Sequence, residues 1–183
     1  MADAYFSVDV ETAGPVPGLY SMLSFGACVV GEPESSFYAE LQPINRDAVP
    51  EVLAVTRFDL AELATVGRDP HEVMGQFADW IEENSRGAEA VFVGFNASFD
   101  WSFVNWYFHR YLGHNPLGIA PIDIKSFYMG LAGVTWRETT SRRLPAQFQP
   151  RSVEGQQHNA LVDARRQAEV FARLLDSARS RPG

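Results

Sequence analysis

The sequence predicts an α/β fold in which a mixed sheet is flanked by helices. Three observations lead there. Three apolar runs of strand length fall within the first 42 residues, joined by short Gly- and Pro-bearing connections. Two further short apolar runs, near residues 90–95 and 119–124, alternate with stretches of helical periodicity. The chain has 183 residues, is 46% hydrophobic and shows no internal repeat or low-complexity block. That length suits one domain able to bury roughly 70% of its unfolded surface.

Residues 4–10 are apolar enough for a buried central strand. Residues 13–20, AGPVPGLY, must form a loop. The runs 22–30 and 36–42 read as second and third strands, with Gly31-Glu32-Pro33 as the turn between them. Loops this short favour an antiparallel meander. Pro50 opens a short helix through about Phe58, and 59–70 look irregular. Asp69-Pro70 starts a helix whose apolar positions Val73, Phe77, Trp80 and Ile81 recur at helical spacing. A strand at 90–95 leads to a helix from about Ser98 to Leu112, stopped by Gly113. A strand at 119–124 carries Pro121, which limits its pairing, and a short helix covers 125–132. Residues 137–152 lack a clear period and are expected to form a mobile loop. A last amphipathic helix starts at His158 or Asn159 and runs to about Ala178.

Composition narrows the function classes. The MADAYF start has no basic segment of a signal peptide, and no apolar run approaches a membrane span of about 18 residues. The lone Cys28 sits in an apolar run, so neither a disulfide framework nor a thiolate metal site can form within the chain. A reducing, cytoplasmic setting is the expectation. The net charge of −8 is unevenly spread: residues 1–136 hold 6 Lys+Arg against 18 Asp+Glu, and residues 137–183 hold 9 Arg against 5 Asp+Glu. That asymmetry allows a local basic surface on an acidic protein, or a solvated helix face with a charged tail.

Four carboxylates stand where their local pattern argues against them. Asp9 and Glu11 lie two residues apart on the first strand, so they share a face about 7 Å apart. Two acids on one face of a core strand repel and resist desolvation, and a hard divalent cation would compensate them. Asp100 points into the apolar arc of Phe103, Val104, Tyr107, Phe108 and Tyr111, near a helix N-terminus, where it would be costly without a partner; a first-turn acid behind a Ser98 cap is the alternative. Asp163 falls inside the apolar arc of Ala160, Ala164, Val170, Phe171 and Leu174. Such exceptions tend to mark functional sites. His158, five residues earlier, is placed to accept a proton from water near neutral pH. His71, His109 and His114 read as surface residues.

Taken in order, these residues match a set of motifs. Asp9-Val10-Glu11-Thr12 resembles the first motif of the DEDD exonucleases, Gly94 to Asp100 (GFNASFD) the second, and His158 to Ala164 (HNALVDA) the third in its histidine form. The chain is thus similar to DEDDh (DnaQ-like) 3′–5′ exonucleases such as ribonuclease T, oligoribonuclease and proofreading subunits. The resemblance implies a ribonuclease H-like fold with a five-stranded sheet, an antiparallel meander plus parallel strands. It implies that Asp9, Glu11, Asp100 and Asp163 bind two divalent ions, Mg or Mn, and that His158 is the general base. It implies substrate contacts near Thr12, a hydrophobic wedge for which Met22, Leu23 and Phe25 are candidates, and a role for Asn96 in ordering its loop or touching substrate. Arg142, Arg143 and Arg151 could meet phosphates. The substrate would be a single-stranded RNA or DNA 3′ end, releasing 5′-mononucleotides. The first motif reads Glu-Thr-Ala-Gly where Glu-Thr-Thr-Gly is common, and 137–151 match no family element. Trp101 and Trp106 make the second-motif helix rich in aromatics, which suits core packing first and a homodimer interface second. A non-catalytic nucleic-acid- or protein-binding module on the same fold is the competing reading, and it predicts a lost ligand or base. A nuclease cutting internally is another, and it predicts products longer than one nucleotide.

Overall fold

A computed structural model describes residues 2–151 and 159–180. Among the described residues five strands form one sheet: β1 (Asp3–Thr12), β2 (Met22–Val29), β3 (Glu32–Glu40), β4 (Glu89–Gly94) and β5 (Ile122–Asp123). Their order is β3-β2-β1-β4-β5, with β1 central. β1, β2 and β3 pair antiparallel as the expected meander, while β4 and β5 run parallel to β1. Pro121 and the turn into the next helix leave β5 only two paired residues.

Among the described residues there are six α-helices, α1 (Pro50–Thr56), α2 (Leu60–Val66), α3 (Pro70–Ser85), α4 (Ala97–Leu112), α5 (Ile124–Ala132) and α6 (Ala160–Arg179), of which α3, α4 and α6 pack on the central strand. α2 occupies part of the stretch that reads as irregular in the sequence. Its two turns bury Leu63 alone, too little to set a period, and its start is fixed by Asp59, whose side chain accepts from the amides of Ala61 and Glu62. Residues 136–148 hold three 3-10 turns: Trp136–Thr139, Ser141–Arg143 and Ala146–Phe148. They bury Thr139, Leu144 and Phe148. Single turns are too short to leave a periodic signal, which explains why this stretch reads as featureless loop.

Alternation along β1 divides the interior. Phe6, Val8 and Val10 face α3 and α4, joining Phe77, Phe103 and Phe108 in the larger core. Ser7, Asp9 and Glu11 face the other way, toward α6; Ser7 Oγ donates to the Ala164 carbonyl at 2.8 Å. Gly26, opposite Asp9 on β2, lets α6 come this close: a Cβ there would lie 2.3 Å from the Leu161 backbone. Asn159 caps α6 by accepting from the Val162 amide at 3.1 Å. Glycine on the strand and a capped helix start thus seat Asp163 over Asp9.

Candidate active site

The site forms at the carboxyl ends of β1 and β4, where parallel strands leave a crevice. Asp9, Glu11 and Asp163 each offer an oxygen within 4.8 Å of the others. Asp100 stands outside that trio and joins it through the backbone. Pairing between β1 and β4 stops at Ser7 and Val93, so the edge of β1 is open beyond that point. Asp100 fills it, accepting from the Val10 amide at 3.0 Å. It is 5% exposed and lies in the first turn of α4. Asn96, not Ser98, stands at the N-cap position, in a left-handed conformation at φ 58° that asparagine tolerates, and the Asp123 carboxylate accepts from the Ala97 amide at 2.9 Å.

Four acids in so small a space disturb one another. Burial, with the charges of Asp100, Asp163 and Glu11 adding, holds the Asp9 carboxyl well above the usual carboxylate range. Burial, with the charge of Asp163 adding, pushes Glu11 up to about 7. Burial also raises Asp100 to about 7, against the stabilising amide of Val10. Arg166 offsets part of this charge through an ion pair with Asp163 at 3.1 Å. The donors are all carboxylate oxygens, and the cluster is short of positive charge. Both facts suit a hard divalent cation at the oxygens of Asp9, Glu11 and Asp163.

Gln167 is a site residue that the sequence reading missed. Its side chain is 8% exposed and bridges two elements: Nε2 donates to Asp9 Oδ1 at 2.5 Å, and Oε1 accepts from the Phe95 amide at 2.7 Å. The signal was present, since Gln167 lies one turn after Asp163 on the same apolar face of α6. The exception test that singled out Asp163 applies equally to it.

Other expectations separate. Thr12 is buried beside Glu11 and bonds the Gly14 carbonyl at 2.9 Å. Met22, Leu23 and Phe25 have 0% exposure, so these candidate wedge residues have no surface to offer a base and pack as core instead. Val55 and Phe99 are exposed, and with Glu11, Thr12 and Val52 they line a pocket on one side of the acids. On the other side, a cleft is lined by Asp9, Asp163, Asn96, Ser141, Arg142 and Arg166. Arg142 therefore reaches the site. Arg143 bonds the Arg137 carbonyl, and the Arg151 amide bonds Glu169. His158 lies outside the described residues.

The sheet order β3-β2-β1-β4-β5 carries these acids at the end of its central strand, and the same fold is found in known 3′–5′ exonucleases. The model of the 3′–5′ exoribonuclease Rv2179c-like domain matches residues 4–175. A 3′–5′ DNA exonuclease of Escherichia coli, Cap18, is 51% identical over 175 residues, covering 95% of this chain and 92% of that protein. The nuclease domain of 3′hExo, a DEDDh family member solved with rAMP, superposes with a TM-score of 0.71 at 15% identity, covering 96% of this chain and 92% of that one. Exonuclease I superposes with a TM-score of 0.68 at 17% identity, over 95% of this chain and 41% of its own length. The chain belongs to the Rv2179c-like family of 3′–5′ exonucleases.

Proposed function

We propose that the protein removes 5′-mononucleotides one at a time from the 3′ end of single-stranded nucleic acid, with Asp9, Glu11, Asp100 and Asp163 holding two divalent ions, Mg or Mn. The observation that carries this reading is the convergence of the Asp9, Glu11 and Asp163 oxygens within 4.8 Å. Bound there, two such ions supply an acidified attacking water and positive charge for the phosphate and the departing 3′ oxygen.

The chain's own residues do the rest. Asp100 ties the second-motif helix to β1 through the Val10 amide. Gln167 fixes the rotamer of Asp9. Arg166 steadies Asp163 at the cleft wall. His158, five residues before Asp163, takes the proton of the attacking water on an imidazole nitrogen. The terminal nucleoside lies in the pocket of Thr12, Val52, Val55 and Phe99, and the strand leaves through the cleft that Asn96 and Arg142 line. The relative and the family description name different polymers, DNA for Cap18 and RNA for the Rv2179c-like domain. Discrimination between them rests on whether the site contacts a 2′-hydroxyl.

Product analysis with variants tests the assignment. Asp9→Ala and Asp163→Ala should reduce mononucleotide release at least about 10³-fold. His158→Ala should slow it roughly 10²–10⁴-fold while leaving the metal-induced rise in melting temperature intact. Wild-type rates in His158→Ala would remove the histidine as base, and wild-type rates in either acid variant would remove the metal site.

A further inference from the structure

Lys125 is the only lysine in the chain, and it is fixed in place. It stands in the first turn of α5, where Nζ donates to Asn96 Oδ1 at 2.9 Å and lies 3.8 Å from the ring centroid of Trp136. Holding a lysine head on two sides sacrifices rotamer freedom for a modest cation–π gain at an exposed site. Nor is the charge neutralised: among the described residues no carboxylate forms an ion pair with Lys125. Asp123, two residues earlier, is committed elsewhere, to the Ala97 amide and to the amide and hydroxyl of Ser126. Trp136 keeps 51% of its surface exposed. A positioned, unpaired cation beside an open indole is the pairing that single-strand binding sites use, charge for the phosphate and ring for the base.

The pair adjoins the acid cluster. Asn96, which holds Lys125, lines the same cleft as Asp9, Asp163 and Arg142. Phe95, one residue earlier, is bonded to the Gln167 that holds Asp9. A strand with its 3′-terminal linkage at the acids and its upstream part in this cleft would next meet Asn96, Lys125 and Trp136. We infer that Lys125 and Trp136 form the subsite for the nucleotide 5′ to the scissile linkage, Lys125 taking its phosphate and Trp136 stacking its base. The subsite rests on the exonuclease reading for the direction in which the strand lies. Charge and stacking read no base identity, so the contact serves DNA and RNA alike.

The test is binding, by fluorescence anisotropy in Mg, of 5′-fluorescein-labelled single-stranded decamers, DNA and RNA, whose 3′-terminal linkage is a phosphorothioate that resists hydrolysis. Lys125→Met should weaken binding roughly tenfold at low salt and make the plot of log affinity against log salt shallower by about 0.7. Trp136→Ala should weaken it about 5- to 100-fold without changing that slope. Lys125→Arg and Trp136→Phe, which keep charge and ring, should bind within about threefold of wild type. The rise in melting temperature on adding Mg, which reports the acid cluster, should persist in all four. Wild-type affinity in both Lys125→Met and Trp136→Ala would overturn the subsite. Loss of the Mg-induced shift together with binding would overturn it too, because the residues would then be supporting the cluster itself. If wild-type protein shortens no unmodified decamer, yet binding falls in the variants as stated, the exonuclease reading fails while the nucleotide subsite stands.

Discussion

At the scale of single residues, the site depends on groups that would be poor choices anywhere else in the fold. Gln167 spends both ends of its amide on Asp9 and the Phe95 backbone. Gln167→Leu removes both bonds while keeping volume, and should raise the Mg concentration for half-maximal activity by about 10- to 100-fold. A metal titration checks this, and an unchanged midpoint would show that Asp9 holds its place unaided. The raised carboxyls make a second prediction. Because Glu11 and Asp100 are pushed up to about 7 by burial, the metal-free fold binds protons that the unfolded chain has released. Their contribution to stability is full below the unfolded values near 4 and is lost as pH rises through about 7. Divalent ions need the ionised forms, so the melting-temperature gain on adding metal should widen with pH. At 100 times the dissociation constant it should reach about 5–10 °C at pH 8 and shrink at pH 5. A larger gain at pH 5 would contradict the assignment. Asp9, Glu11, Asp100 and Asp163 were legible in the sequence because each breaks its own pattern of apolar residues. Met22, Leu23 and Phe25 were not separable from wedge residues, since an apolar side chain reads the same whether it meets a core or a base. Their burial is decided by α3, α4 and the loops, which pattern alone does not place.

At the scale of elements, close approach of α6 to the sheet sets the geometry of Asp163 against Asp9. Gly26 permits it, and Gly26→Ala would put a methyl against the Leu161 backbone, which cannot move as a side chain end can. The substitution should cost about 2 kcal/mol or more, about 4–8 °C in melting temperature, and should lower activity by lifting Asp163 from the cluster. Thermal melts and rates measured together check it, and a protein of wild-type stability would show that α6 is not seated there. Long periodic elements were readable: α3, α4 and α6 carry apolar stripes, and the β1 to β3 meander follows from short Gly- and Pro-bearing connections. α2 and the three 3-10 turns were not, because two turns or fewer leave too few apolar positions to define a repeat. Their placement comes from tertiary contacts such as Leu144 and Phe148 against Tyr128 and Val170.

At the scale of the molecule, an acidic protein has to attract a polyanion. The net charge of −8 is repulsive at distance, and the acid cluster adds to it until cations are bound. On the proposed reading attraction is local, with Arg142 and Arg166 at the cleft wall and Lys125 beyond Asn96. Removing divalent ions should weaken substrate binding as well as abolish cleavage, since bare carboxylates repel phosphate. No described helix is long and apolar enough to cross a membrane. The most direct measurement is digestion of 5′-labelled single-stranded RNA and DNA, with Mg, with Mn and with chelator, in wild type and Asp9→Ala. The four-carboxylate reading predicts a metal-dependent ladder that shortens by one nucleotide at a time from the 3′ end and vanishes with chelator or in Asp9→Ala. Fragments from internal cuts, or a ladder that persists in chelator, would contradict it.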